Sequence, residues 1–197
     1  MKIKISLHPL AAAGIAMLLF VLPPDKAYGM CAAVLCHELS HLCAARLLKM
    51  KLRGVKICPV GISVETTPPR SHLAGIAVAL AGPLANAILC AMLYLSGIEN
   101  ECLFSTFVFS ASLGALNLLP VRSLDGGSAL ISALSLVLPA EAAERISQAI
   151  STAALAIMWL VAVYVLFYST ENASLLVFTA YLFAFTVLKS EKSQNNS

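Results

Sequence analysis

The chain has 197 residues, of which 59% are hydrophobic and only 12% charged, and its mean hydropathy is +0.87. That balance excludes a water-soluble domain and points to an integral membrane protein. The formal net charge of +3 follows from basic residues gathered on one side of the expected spans, so it gives no reason to expect a nucleic-acid partner.

About 20 consecutive apolar residues cross a bilayer core. Runs of that kind occur near residues 5–22, 28–50, 72–98, 102–119, 150–170 and 172–189. The expected fold is an all-α polytopic membrane protein with about six transmembrane helices. No small-residue cleavage site follows the first run, and Pro23-Pro24-Asp25 leads straight into the second, so the first reads as a retained span. Lys2 and Lys4 precede the first run, Arg46, Lys49, Lys51, Arg53, Lys56 and Arg70 surround the loop after the second, and Lys189 and Lys192 follow the sixth. The opposite loops carry Asp25 with Lys26, then Glu99 and Glu101, then Glu171. Both termini are therefore expected in the cytoplasm. Attraction to anionic lipid is the other reading of the basic loop.

The second run contains His37-Glu38-Leu39-Ser40-His41. A carboxylate near the centre of a membrane helix costs roughly 2.5–3.5 kcal/mol even on mild insertion scales, so such a cluster calls for a function. On a helix His37 and His41 share a face one turn apart, where two imidazole nitrogens can meet one metal ion with Glu38 beside it as a base. That pattern is the ligand pair and base of a zinc hydrolase. The cysteines at positions 31, 36, 43, 58, 90 and 102 form no C-x-x-C pair and read as small hydrophobes. Cys36 and Cys43 flank the histidines but lie off their face.

Residues 55–65 are β-branched and roughly alternating, broken by Pro59 and Gly61, which predicts a small membrane-edge β segment between helices two and three. The third run holds Gly75, Ala77, Ala79, Ala81, Gly82, Ala85 and Ala87, small residues that let helices approach closely, and is expected centrally in the bundle. Asn86 within it reads as an interhelical hydrogen-bonding group. Residues 102–138 would span roughly 55 Å as one helix against a core of roughly 30 Å, so the fourth helix must be broken, at Pro120 and Asp125-Gly126-Gly127. Gly126 to Leu138 is expected as a short helix, followed by a polar turn over residues 141–145.

A catalytic zinc takes three protein ligands and leaves one position for water. Asp125, the acid of the broken fourth helix, is the expected third ligand; its other reading is an N-cap for the helix that follows. Zinc brings the pKa of its bound water to about 7, and Glu38 can take that proton and pass it to a leaving amine. Asn117, eight residues before Asp125, serves either as a donor to the developing oxyanion or as a helix-packing group.

Leu7-His8-Pro9, the H-E-L-S-H sequence, Pro59-Val60-Gly61 with Val64-Glu65, Ala81-Gly82-Pro83-Leu84, and Asn117-Leu118-Leu119-Pro120 ahead of Leu124-Asp125-Gly126-Gly127 together resemble the site-2 protease family of intramembrane zinc metalloproteases, nearest its sporulation members. The resemblance covers the first three quarters of the chain. It implies cleavage of a membrane-associated substrate, one zinc on His37, His41 and Asp125, Glu38 as base, and Asn117 near the substrate or oxyanion. It also implies a bacterial cell membrane, a pro-sigma-K-like substrate, membrane proteins that hold the enzyme inactive, and an extended substrate adding a strand along residues 55–65. Arg122-Ser123 stands where the family carries a proline-rich pair. The expected organisation is one metalloprotease domain over residues 1–189 and a short disordered polar tail over 190–197, with no CBS domain and hence no ATP regulation through one. Two other functions use the same residues: a non-proteolytic metal-binding or transport protein, and an inactive scaffold that binds membrane peptides.

Overall fold

The computed structural model of the chain describes residues 4–7, 22–50, 52–58, 61–66, 69 and 71–168, with short helical pieces at 176–177, 179–180 and 182–183. The elements run in the order β1 (Lys4–Leu7), α1 (Pro24–Leu47), β2 (Leu52–Cys58), β3 (Gly61–Thr66), α2 (His72–Ser96), α3 (Glu101–Asn117), α4 (Asp125–Leu134) and α5 (Ala140–Tyr168). They fall into two compact units, Met1–Asn117 and Leu118–Ser197.

In the first unit α1, α2 and α3 each pack against the other two. Helix α1 starts where Pro24 occupies the first turn with Asp25 beside it, both favourable at a helix N-terminus. It stops where Lys49 turns left-handed at φ 56°, so that Met50 N–H reaches Ala45 O and Lys49 N–H reaches Arg46 O, closing the last carbonyls. Ser71 opens α2 by accepting a hydrogen bond from Ala74 N–H at 3.2 Å, and Gly97, at φ 80°, closes it. Of the small residues expected to bring helices together, Ala79 and Gly82 are buried whereas Ala77 and Ala87 are exposed, and in α1 a Cβ at Gly29 would stand 2.7 Å from Thr106 N of α3. The leucine-rich side of α2, with Leu84, Ile88, Met92 and Leu95, is exposed.

The three strands form one sheet in the order β1-β2-β3, with β1 parallel to β2 (Lys4 opposite Gly54, Leu7 opposite Ile57) and β2 antiparallel to β3 (Cys58 opposite Gly61). The stretch read as a first span thus begins as a strand. Lys4, Ile5, Ser6 and Leu7 alternate polar and apolar, a two-residue period that suits a strand rather than a helix.

In the second unit α4 packs on α5, and Val121, Leu124, Leu155 and Leu182 form a core flanked by Leu119, Ala154 and Met158. The break in the fourth helix falls between Asn117 and Asp125, but α4 ends at Leu134, short of the predicted Leu138. The polar turn expected over residues 141–145 is instead the opening of α5. Pro139 accepts from Ala143 N–H at 3.0 Å, and Glu141 lies in the first turn, where a negative charge complements the helix dipole. Among the described residues, α2 and α5 are the helices long and apolar enough to cross a bilayer, so two of the about six expected crossings meet that test. Helix α3 has only 17 residues, and the apolar run of α1 is interrupted by its ionisable motif. Most of the first run, most of the sixth, and the tail at 190–197 lie outside the described residues.

Candidate metal centre

His37, Glu38 and His41 lie in the second half of α1; His37 is buried, 4% exposed, and the other two are half-buried. The helical spacing brings the imidazoles edge to face, with centroids 4.8 Å apart and planes at 78°. Their Nε2 atoms are 3.2 Å apart. Two nitrogens bound to one tetrahedral zinc at about 2.0–2.1 Å stand about 3.3 Å from each other, so the pair has the right separation for a shared ion.

The opposite ring nitrogens decide the tautomers. His41 Nδ1 lies 2.8 Å from Val78 O of α2, and since a carbonyl can only accept, Nδ1 carries the proton and Nε2 keeps its lone pair. His37 Nδ1 lies 3.2 Å from the Asn86 carboxamide, also on α2 and fully buried. Between these two contacts sits Gly82, where an added Cβ would come within 2.3 Å of His41 Nε2 and 2.7 Å of His37 Nε2. Only glycine leaves the converging nitrogens open on that side. Ser40 spends its hydroxyl within α1, on Cys36 O at 2.8 Å and His37 O at 2.6 Å.

Val78, Gly82 and Asn86 are spaced by four along α2, so one helical stripe serves both histidines. Asn86 was expected to bond between helices; its partner is His37, a link to the metal motif that spacing within α2 alone could not reveal. The carbonyl of Val78 left no side-chain signal in the sequence.

Asn117 is the last residue of α3 and half-buried, and its Nδ2 donates to Leu113 O of its own helix at 3.0 Å. At least one of its two N–H groups is thus used locally. Asp125, in the second unit, is half-buried and is the first residue of α4; the N-cap position belongs to Leu124, so the N-cap reading of Asp125 does not hold. The next two glycines are buried against the preceding turn: a Cβ on Gly126 would meet Leu118 O at 2.2 Å, and one on Gly127 would meet Val121 O at 2.2 Å. Arg122, at the departure from the proline-rich pattern, donates its backbone N–H to Ser151 Oγ at 2.9 Å and pairs its guanidinium with Glu144. A proline there has no N–H for the first of these contacts.

The profile of peptidase family M50 matches residues 26–101 and 97–161. The fold is similar to that of the Site-2 Protease from Methanocaldococcus jannaschii, with a TM-score of 0.70, 22% identity, and coverage of 96% of this chain and 92% of that one. The chain belongs to peptidase family M50. It is also 33% identical over 120 residues to Stage IV sporulation protein FB of Bacillus subtilis (strain 168), a match over 58% of this chain. That match spans about two fifths, 42%, of the curated relative's length.

Proposed function

We propose that this chain is an intramembrane zinc metalloendopeptidase, with His37, His41 and Asp125 holding one zinc ion, Glu38 as general base and residues 1–189 forming the protease domain. The observation that carries the reading is the pair of Nε2 atoms 3.2 Å apart in α1, faced by Gly82 and held from behind by α2. Bound zinc polarises a carbonyl and makes water acidic enough to give up a proton near neutral pH. Glu38, next to His37 in α1, would be the base that takes a proton from the attacking water and passes it to the departing amine. Asp125 at the first position of α4 supplies the third ligand, and Asn117, whose amide carries two N–H groups, serves as donor to a developing oxyanion.

The substrate is a membrane-associated pro-protein. The likeness to a sporulation protein supports a precursor of the pro-sigma-K kind, with membrane proteins as regulators. Strand β3 is at one end of the sheet among the described residues, which supports docking of an extended substrate by strand addition. The basic bias of the flanking segments supports a multi-pass bacterial membrane protein with cytoplasmic termini.

Replacing Glu38 with Gln removes the base but no ligand. The expected result is loss of cleavage by a factor of about 100 or more with zinc content unchanged, measured on the purified protein with a membrane-tethered pro-protein. Undiminished turnover by this variant would overturn the mechanism.

A further inference from the structure

Asn86 lies beside His37 and is 0% exposed, and neither the ligand set nor the base proposed above uses it. Its Nδ2 lies 3.2 Å from His37 Nδ1, and its Oδ1 is buried with no hydrogen-bond partner among the described residues. An N–H facing Nδ1 would need the lone pair there, and a neutral imidazole would then carry its proton on Nε2, where it could not bind a metal. The neighbouring ring is set the other way, with Nδ1–H donated to Val78 O. The two ends of a carboxamide have nearly the same shape, so a half-turn about its last bond puts Oδ1 in the same place.

We infer that Asn86 is a positioning residue for the metal, its Oδ1 accepting the Nδ1 proton of His37 and so holding the Nε2 lone pair toward His41. Helix α2 then orients both imidazoles with acceptors, the Val78 carbonyl for His41 and the Asn86 carboxamide oxygen for His37. Acceptors behind metal-bound histidines set the tautomer and raise the ligand's basicity, and their loss commonly weakens metal binding 10- to 100-fold. Gly114 of α3 packs closely against Asn86, since a Cβ there would stand 3.3 Å from Asn86 Cβ.

The inference rests on His37 and His41 being metal ligands, and Co2+ titration of the full chain in detergent, followed by its visible absorption bands, separates the two. Asn86→Leu removes the acceptor and is expected to weaken Co2+ binding 10- to 100-fold. Asn86→Asp keeps an oxygen that can only accept, and is expected to bind Co2+ within about threefold of the unaltered chain. Equal losses in both variants, or none in Asn86→Leu, would overturn the role given to Asn86 while leaving the metal site standing. An unaltered chain that binds no Co2+ would overturn the metal reading itself. Nitrogen-15 imidazole shifts of the unaltered, zinc-loaded chain give a check that needs no variant: they should show His37 protonated on Nδ1, and a proton on Nε2 would reject the assignment.

Discussion

A methyl group at position 82 would stand 2.3 Å from His41 Nε2, closer than any real carbon contact, and the backbone of α2 cannot move away without carrying Val78 and Asn86 with it. Gly82→Ala is therefore expected to lower bound zinc by roughly tenfold or more while the helices still form, because alanine is the better helix former. Elemental analysis of the purified variant beside its helical circular dichroism checks both halves of that statement. The pairing of His37 with His41 was legible from the sequence because helical geometry alone puts positions four apart on one face. Gly82 was visible as a small residue and as part of the Ala81-Gly82-Pro83-Leu84 motif, and Asn86 as a polar residue in an apolar run. Their meaning depends on which neighbouring helix they touch.

Between α3 and α4 the chain turns through residues 118–124, and the features that hold this turn lie partly in α5. Ser151, 2% exposed, accepts the Arg122 N–H, and Arg122 pairs with Glu144, two turns earlier on the same side of α5. Ser151→Ala leaves a buried N–H without its acceptor and is expected to cost about 1–3 kcal/mol, read as a lower unfolding temperature in detergent. Gly126→Ala forces a carbon into the Leu118 carbonyl and should displace Asp125 at the helix start, so its loss of bound zinc is expected to exceed that of Ser151→Ala. The break itself could be foreseen, since no straight helix of that length fits a bilayer core. The extension of α5 back to Ala140 could not: residues 141–145 look like a polar turn until Ala143, Ser147 and Ser151 are found buried along one side.

For the molecule as a whole, the exposed side chains of α2 (Leu84, Ile88, Met92, Leu95) and of α5 (Ile157, Leu160, Tyr164, Phe167) form apolar stripes suited to hydrocarbon. A chelator such as 1,10-phenanthroline is expected to abolish cleavage, and added Zn2+ to restore it; cleavage that persists in full with no measurable zinc would contradict the proposed mechanism. Strand docking makes its own demand. A substrate whose alternate backbone amides are N-methylated cannot complete a ladder, and its turnover is expected to fall roughly tenfold or more against the unmethylated peptide.

Composition, run length and the four-residue spacing of His37 and His41 were enough to determine a strongly apolar, mainly helical chain with two imidazoles on one helix face, because solvent and helix period act on local sequence. The partners of those histidines on α2, the pairing of Lys4–Leu7 with a strand about fifty residues away, and the ties between Arg122 and α5 were decided only by tertiary structure. Each joins residues remote in sequence, and which remote groups meet depends on the packing of whole helices and strands.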